Sequence, residues 1–300
     1  MKEINYTFII PHHNCPDLLD RCLNSIPQRD DIQIIVIDDK SDEGKKPTER
    51  GRPEVEYIYI SNEESKGAGR ARNVGMLSAK GKWLIFADAD DYFTENLDSF
   101  LEKYSHDDDT DLVYLNAHKV DQDGNSTPFE ISFYIKNYQE KKVYSEQALQ
   151  YNMWSPWTRM VKRHLIEQYA IFFDAIPMGN DMMFSLKCSK YAKRFKVEEM
   201  VIYSYFNPIG RSVTESNRCK TENIKYKIEL TLRQNELYCS VGYVFRSSFI
   251  TGLRNIPKGA NTKLYKNEYK KKLKEYKVNC LKDLFYTMLY KIATVLKILK

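Results

Sequence analysis

Several features that would assign this 300-residue sequence to a well-marked class are missing from it. Its six cysteines include no C-x-x-C pair, which argues against a thiolate metal site and favours a reduced, cytosolic protein. No apolar run reaches the roughly eighteen residues that a membrane-spanning helix needs. The N-terminus also lacks the long apolar region of a signal peptide. We therefore expect neither a spanning helix nor a secretory leader.

Three short motifs of phosphate binding and catalysis are absent as well. No G-x-x-x-x-G-K-[ST] segment occurs, which excludes a P-loop. The glycine-rich segment 66–75 is not a dinucleotide fingerprint, because Arg72 stands where the third glycine would be. No G-x-S-x-G nucleophile elbow is present. The net charge of +5 is mild and does not by itself indicate nucleic acid, so we expect no such partner.

What the sequence does contain, over its first 115 residues, is an alternation of strand and helix patterns. Short apolar runs predict strands, and apolar residues at helical spacing predict the helices between them. The predicted strands are 6–10, 32–37, 55–60, 83–87 and 112–115. Such alternation predicts an α/β fold with a mostly parallel sheet covered by helices on both faces.

An apolar run from Trp83 ends in three carboxylates, those of Asp88, Asp90 and Asp91. Carboxylates crowded at a strand end repel one another unless a cation neutralises them. Mg²⁺ and similar ions prefer oxygen ligands and often share them with substrate phosphates. A strand followed by an acidic helix cap, with Asp91 or Thr94 near the helix start, explains the pattern equally well.

Two other predicted strands also end in polar loops, at 11–14 and 38–41. Parallel strands place these ends at one edge of the sheet, where ligands of such folds bind. This convergence favours a metal and phosphate site over a simple helix cap.

Two further segments carry candidate residues, although an ordinary structural role explains each of them better in isolation. Arg70 and Arg72 open a helix, where arginine and the helix N-terminus both suit phosphate, but a solvated basic face is the commoner case. Asp181 stands at a helix start beside apolar residues. It is placed to act as a general base, or it is simply a first-turn acid.

The last stretch, 264–300, reads as a lysine-rich amphipathic helix with its leucines on one face. A basic amphipathic helix suits an anionic membrane surface. A terminal helix packed on the core, with solvated lysines, is the alternative. We favour the membrane because lysine is dense upstream of the apolar stripe.

Taken together, these residues resemble the family 2 glycosyltransferases of the GT-A fold, and the resemblance runs from about residue 8 to residue 214. Four segments match in the first half: Phe8–Asn14 (the opening strand and P-x-x-N loop), Ile35–Ser41 (VDDGS), Gly69–Gly75 (ARNxG) and Phe86–Asp91 (D-x-D). Four more follow: Trp157–Val161 (WxKlf), Gly179–Asp181 (GED), Tyr203–Tyr205 and Gly210–Thr214 (YyYr and gSvT). Lys40 replaces a glycine and Asn180 a glutamate of the family pattern.

The resemblance implies a role for each candidate residue on the donor side. Pro11 and Asp39 would border the base or ribose of a nucleoside diphosphate sugar, usually a uridine one, and Asp88 would lie near the ribose. Asp90, with Asp91 nearby, would hold Mn²⁺ or Mg²⁺ on the diphosphate.

On the other side of the implied site, Arg72 would position the donor phosphate or the D-x-D carboxylates. Asp181 would deprotonate the acceptor hydroxyl, which then attacks the anomeric carbon with inversion. A metal stabilises a leaving diphosphate and a base activates a hydroxyl, so the implied roles agree with the chemistry.

We therefore expect a GT-A catalytic domain over 1–220, with a nucleotide-sugar half at 1–117 and an acceptor half at 118–220. A helical region would follow at 221–300. The resemblance implies a hexosyl- or N-acetylhexosaminyltransferase of bacterial cell-surface polysaccharide assembly, acting on a glycan or lipid-linked acceptor at the inner face of the plasma membrane.

Two alternatives stay open. One is a sugar-1-phosphate nucleotidyltransferase, although its basic glycine-rich loop is missing after the first strand. The other is a non-catalytic module that binds a sugar nucleotide or a membrane.

Overall fold

The computed structural model describes residues 3–47, 52–61, 67–208, 224–243 and 262–275. The strands are β1 (Tyr6–His12), β2 (Ile32–Asp38), β3 (Val55–Tyr59), β4 (Trp83–Phe86), β5 (Tyr92–Phe93), β6 (Leu112–Val120), β7 (Ser126–Pro128), β8 (Arg159–Lys162) and β9 (Phe195–Phe206). The helices are α1 (Pro16–Asn24), α2 (Ala68–Ser78), α3 (Leu97–Tyr104), α4 (Glu130–Gln139), α5 (Ser145–Asn152), α6 (Arg163–Tyr169), α7 (Met182–Tyr191), α8 (Ile224–Ser240) and α9 (Thr262–Glu275). Short 3₁₀ turns occupy Glu43–Lys45 and Pro156–Thr158.

One continuous sheet joins both halves of the predicted catalytic domain. Its strand order is β3-β2-β1-β4-β8-β6-β9-β5, and β7 pairs with β6. The first four strands in that order, β3, β2, β1 and β4, are parallel to one another. These are the strands whose apolar runs predicted a parallel sheet.

The second half of the sheet is mixed rather than parallel. Strand β8 runs antiparallel to both of its neighbours, β4 and β6, while β9 is parallel to β6. The observed fold is therefore α/β as expected, and β8 interrupts an otherwise parallel run of strands, since β6 and β9 point in the same direction as β1 to β4. The predicted strand 83–87 connects the two regions as β4, which pairs with β1 on one edge and β8 on the other.

The parallel strands are apolar because both of their faces are covered. Ile35, Val36 and Ile37 of β2 have no exposed surface. Helix α2 packs so closely on this sheet that a Cβ on Gly75 would lie 2.6 Å from Ile9 Cγ2. A glycine in the helix interior lowers helix propensity by about 1 kcal/mol, so this close approach explains its presence.

Helix α3 begins after Asn96, later than the predicted start near residue 94, and Asp91 does not cap it. Thr94 does contact the helix start, because its Oγ1 accepts the Asn96 amide at 3.4 Å while its hydroxyl donates to the carbonyl oxygen of Val201, 2.6 Å away. The segment after Asp91 is used for strand β5, which pairs with β9. A long-range strand pairing has therefore displaced the local helix start.

The C-terminal helices α8 and α9 follow the sheet, and α8 packs on α7. In α9, Tyr269 and Leu273 are buried. Of the helices in the described ranges, none is long and apolar enough to cross a membrane. The predicted domain boundary near residue 220 and the segment 276–300 lie outside the described residues.

Candidate active site

The polar loops after β1, β2 and β4 meet at one edge of the sheet, as their parallel order predicts. The register places His12 beside Asp38 and Ile9 beside Phe86. Two hydrogen bonds join the first two loops: the Asn14 amide N–H donates to Ser41 Oγ at 2.9 Å, and the Asp42 amide donates to Asn14 Oδ1 at 2.8 Å.

The two neighbouring aspartates at the end of β2 have different surroundings. Asp38 already has hydrogen-bond partners within the protein, because His12 Nδ1 lies 2.8 Å from its Oδ1 and Ser41 Oγ lies 2.5 Å from the same oxygen. Asp39 is buried, yet its Oδ1 has no hydrogen-bond partner. A buried polar atom without a partner is uncommon in proteins and points to a missing ligand. Asp39 can thus accept a hydrogen bond from a bound molecule.

Pro11 lies near this pair, at the end of β1 and opposite Ile37 of β2. It is partly exposed, at the point where β1 leaves the sheet. The loop that follows holds His12, His13, Asn14 and Cys15, and it contains neither lysine nor arginine.

The acidic loop after β4 concentrates negative charge in a poorly solvated place. The pKa of Asp90 is raised to about 6, mainly because neighbouring protein atoms displace water from its carboxylate and secondly because of the charge of Asp88. Part of the Asp90 side chain is nevertheless exposed to solvent. Burial likewise raises the pKa of Asp91 well above its usual value. A divalent cation at this loop would relieve both effects.

The resemblance places Asp91 beside Asp90 at the metal, but the structure gives Asp91 different surroundings. Its Oδ2 accepts a hydrogen bond from the Tyr203 hydroxyl at 2.7 Å, and its Oδ1 accepts one from the Phe206 amide at 2.8 Å. The side chain has no exposed surface. These bonds hold the acidic loop against β9, and they leave Asp88 and Asp90 as the carboxylates of this loop that have solvent-exposed surface.

The donor set fits a cation that is shared with substrate. Among the residues that the structure describes, no three carboxylate, histidine or cysteine side chains converge into a site that could hold an ion alone. Mg²⁺ in phosphate-transfer sites typically uses one or two carboxylates and takes its other ligands from substrate phosphates and water. Asp90 could supply the protein part of such a site.

Arg72 connects this loop to the second half of the protein. It lies in the first turns of α2 and is almost fully buried. Its Nη2 donates to Asp88 Oδ1 at 2.5 Å, and its Nη1 donates to Asn180 Oδ1 at 3.2 Å. Its Nε is buried without a partner, so this arginine retains hydrogen-bonding capacity.

The neighbouring Asn73 forms a second link between the halves. Its Nδ2 donates to the Phe173 carbonyl at 2.9 Å, and its Oδ1 accepts the Phe173 amide at 2.9 Å. Gly69 completes the contact, since a Cβ there would lie 2.5 Å from the Asp174 carbonyl oxygen. The Gly69–Gly75 segment thus holds α2 against the loop that leads to Asp181.

Asp181 immediately precedes α7 but does not cap it with its side chain. Its carboxylate forms no hydrogen bond to another residue among those described. Its pKa is raised, mainly by burial, with the charge of Asp88 adding to the rise and Arg72 opposing it. A half-buried carboxylate with a raised pKa and a free oxygen can act as a base.

Several residues of the site carried no recognisable sequence signal. Tyr203 accepts the Asp88 amide at 2.9 Å in addition to bonding Asp91, and its ring stacks on Trp157. Arg21 donates to the Asp90 carbonyl oxygen at 2.6 Å from the last turn of α1. These contacts span 46 or more residues of chain, so no local pattern could reveal them, and only the resemblance singles out Trp157 and Tyr203.

Some of the sequence predictions fall wholly or partly outside the described residues. These are the start of the glycine-rich loop at 62–66, the Gly210–Thr214 motif and the part of the predicted tail helix over 276–300.

Arg159 occupies the lysine position of the WxKlf segment, and it is buried. It donates to the Met153 carbonyl oxygen at 2.8 Å.

Comparison with known structures shows which class of fold this is. The TarS fragment 1–349 of Staphylococcus aureus, solved in complex with UDP-GlcNAc, superposes with a TM-score of 0.59 at 17% identity, covering 78% of this chain and 70% of that one. The mannosyltransferase PcManGT of Pyrobaculum calidifontis, solved with GDP-Man and Mn²⁺, gives a TM-score of 0.54 at 14% identity over 98% of this chain and 88% of that one. The fold is that of the GT-A glycosyltransferases.

The family follows from sequence. The family model described as "Glycosyl transferase family 2" matches residues 7–170, more than half of the chain, and the protein belongs to that family. Among curated relatives, glycosyltransferase GlyA of Streptococcus pneumoniae is 26% identical over 58% of this chain and 26% of its own length. The uncharacterized glycosyltransferase EpsJ of Bacillus subtilis is 23% identical over 63% of this chain and 57% of its own length. The chain spans less than two thirds of either relative.

Proposed function

We propose that this protein transfers a sugar from a nucleoside diphosphate sugar to an acceptor hydroxyl, with inversion at the anomeric carbon. The observation that carries the proposal is the Arg72 bridge. It joins Asp88 of the acidic loop to Asn180, the residue beside Asp181. Arg72 thereby links a donor-side acid cluster to the segment that carries a candidate base, and group transfer between two substrates requires such groups to lie close together.

On the donor side, the unpartnered Asp39 Oδ1 would accept an N–H of the base, and a uracil ring offers one. Asp88 would lie by the ribose, and Asp90 would hold Mn²⁺ or Mg²⁺. A bound divalent ion would stabilise the charge that develops on the leaving diphosphate. Since a structural relative was solved with UDP-GlcNAc, this is the first donor to test.

On the acceptor side, Asp181 would take the proton of the attacking hydroxyl. The oxygen then forms a bond to the anomeric carbon as the bond from that carbon to the diphosphate breaks, and the electron pair leaves with the diphosphate. The raised pKa of Asp181 suits this task, because a base works best when its pKa approaches the working pH.

The variant Asp181→Asn tests the assignment of the base. It should abolish sugar transfer while retaining donor binding, because the amide keeps the shape of the side chain but cannot accept the proton. Transfer is measured as UDP release, and donor binding as the thermal shift with UDP-GlcNAc and Mn²⁺. Asp123→Asn, in the exposed turn between β6 and β7, is the matched control. Wild-type turnover of Asp181→Asn would show that another group is the base.

The donor is identified by a thermal-shift screen of UDP-glucose, UDP-galactose and their N-acetyl forms, each with and without Mn²⁺. We expect stabilisation by at least one donor that depends on the metal. GDP-mannose belongs in the screen because a second structural relative was solved with it. Stabilisation by nucleoside triphosphates and sugar phosphates alone would favour a nucleotidyltransferase instead.

The acceptor is proposed to be a glycan or lipid-linked glycan of polysaccharide assembly, reached at the cytoplasmic face of the plasma membrane. Over its described residues, helix α9 buries Tyr269 and Leu273 against the protein, as the packed-helix alternative expects, so the proposed membrane contact rests on the set of lysines that it exposes. These are Lys263, Lys266, Lys270, Lys271 and Lys274. Lysines near an anionic surface contribute about 1 kcal/mol each.

Flotation with anionic liposomes, with and without residues 264–300, tests the membrane contact. The full chain should float with the vesicles, and binding should weaken as salt rises. Equal flotation of both proteins would refute a role for the tail, and neutral liposomes serve as the control.

A further inference from the structure

We propose that Arg233 of helix α8 is a positioning residue for Asp181, so that the C-terminal helix is part of the catalytic apparatus. The inference rests on the proposed function of Asp181 as the base. Helix α8 lies beyond residues 7–170, the part of the chain that the family model covers.

The central contact is a two-pronged ion pair. Arg233 Nη1 donates to Asp174 Oδ2 at 3.0 Å, and Nη2 donates to Asp174 Oδ1 at 3.0 Å. The side chains are 29% and 20% exposed, so this pair is partly shielded from water. Parallel bonds of this kind fix orientation as well as distance, because the guanidinium and the carboxylate are both planar.

The Asp174 end of this pair belongs to a closed loop that ends at the base. The Asp174 amide donates to the Asn180 carbonyl oxygen at 3.1 Å, which brings the two ends of segment 174–180 together. Asp181 is the next residue. A side chain that holds Asp174 in place therefore holds the start of the loop whose end carries the base.

Helix α8 touches the same loop at a second point. Gly179 has a φ of +68°, and a Cβ there would lie 2.7 Å from Leu230 Cδ1. Leu230 is one turn before Arg233 on α8, so both contacts come from one face of the helix. The loop thus lies between α2, which holds it through Gly69 and Arg72, and α8, which holds it through Leu230 and Arg233.

Arg72 and Arg233 therefore hold the Asp181 loop in different ways. Arg72 connects the loop to the donor side through Asp88 and Asn180, whereas the side-chain hydrogen bonds of Arg233 within the described part of the chain go to Asp174. Loss of Arg233 should therefore loosen the base without disturbing the donor. This predicts a fall in kcat at unchanged donor affinity, which a general loss of stability would not produce.

The test compares Arg233→Gln, Arg233→Lys and Asp174→Asn with Arg194→Gln as the matched control. Arg194 pairs with Asp109 at an exposed site before the start of β9. Arg233→Gln should lower kcat at least about tenfold, since displacement of a reacting group by about 1 Å costs up to about a hundredfold. The donor-induced thermal shift with UDP-GlcNAc and Mn²⁺, and the melting temperature without ligand, should stay near those of the control.

Arg233→Lys keeps the charge but not the second parallel bond, so its kcat should fall between that of wild type and that of Arg233→Gln. If Arg233→Gln does not fold, the kcat of Arg233→Lys provides the test. Combining Arg233→Gln with Asp174→Asn should cause no further loss, because both changes remove one interaction. Wild-type kcat in Arg233→Lys and Arg233→Gln, or a joint fall of kcat, donor binding and melting temperature, would overturn the inference.

These outcomes separate the inference from the function on which it rests. An active Asp181→Asn variant would refute the base itself. An inactive Asp181→Asn beside a fully active Arg233→Gln would refute only the role of α8.

Discussion

Replacing Tyr203 by phenylalanine should destabilise the protein more than an ordinary loss of a tyrosine hydroxyl. The hydroxyl serves two groups at once: it donates to Asp91 and accepts the amide of Asp88. The ring itself is buried and stacks on Trp157, a contact that phenylalanine retains. The effect of the change is therefore confined to the two hydrogen bonds.

Its size follows from the charge of the partner. A hydrogen bond to a charged group contributes about 1.5–3 kcal/mol, and a partly buried amide left without an acceptor costs about 1 kcal/mol more. We expect the free energy of unfolding to fall by about 2.5–4 kcal/mol at neutral pH. Tyr114→Phe is the control: it is equally buried, but its hydroxyl meets only the neutral Ser189 Oγ at 2.9 Å. That change should cost about 1 kcal/mol.

The pH dependence gives a second check with a definite sign. Burial, with the charges of Asp88 and Asp90, raises the pKa of Asp91 in the folded protein, while the bonds from Tyr203 and Phe206 lower it. Removing the Tyr203 hydroxyl raises the pKa of Asp91 further. The folded variant therefore binds the Asp91 proton more tightly than folded wild type does, so the variant gains more stability than wild type as the pH falls.

Urea denaturation of both variants between pH 5 and 8 measures these differences. The gap between Tyr203→Phe and wild type should narrow as the pH is lowered, whereas that of Tyr114→Phe should stay constant. If Tyr203→Phe costs no more than Tyr114→Phe at pH 7.5, Asp91 is not held as a carboxylate by Tyr203.

Two further predictions address the two sides of the site. Gly69→Ala should lower turnover by about tenfold or more, because its Cβ would push on the Asp174 carbonyl, 2.5 Å away; Gly44→Ala, with open space around it, should leave turnover and stability unchanged. Stabilisation by Mn²⁺ should weaken as the pH falls through about 6, the pKa of Asp90, since the proton then competes with the ion. Thermal shifts measured from pH 5 to 8 check this, and an effect of Mn²⁺ that is independent of pH would exclude Asp90 as a ligand.

The parallel strands β1 to β4 and the helices between them could be predicted because each is marked by residues that are close together in the sequence. Apolar runs such as 32–37 and helical spacing after Pro16 describe elements that are buried in a regular way, and their order fixes which loops share an edge. That Asp39 and the acidic loop after β4 lie at the same edge of the sheet follows from that order alone. Strand β8 could not be found in this way, because its place between β4 and β6 depends on partners about fifty residues or more away.

The same contrast holds within the site. The position of Asp181 could be anticipated only from the resemblance, since a carboxylate at a helix start is also an ordinary first-turn residue. Its supports, Arg72 and Arg233, lie 108 and 59 residues from the loop residues that they bind. The different roles of Asp90 and Asp91 were also hidden, because the partners of Asp91 belong to β9. Adjacent carboxylates are equivalent in sequence but not in the structure.

Lys40 shows what a sequence motif records. It replaces the glycine of the family pattern, yet its φ is +65°, in the region that glycine adopts freely. At this position a lysine thus adopts a φ angle that favours glycine, at a cost of about 1 kcal/mol. A pattern written in amino-acid letters counts this position as a departure, whereas one written in dihedral angles counts it as a match. The exchange also gives the edge beside Asp39 an ammonium group that a glycine could not provide.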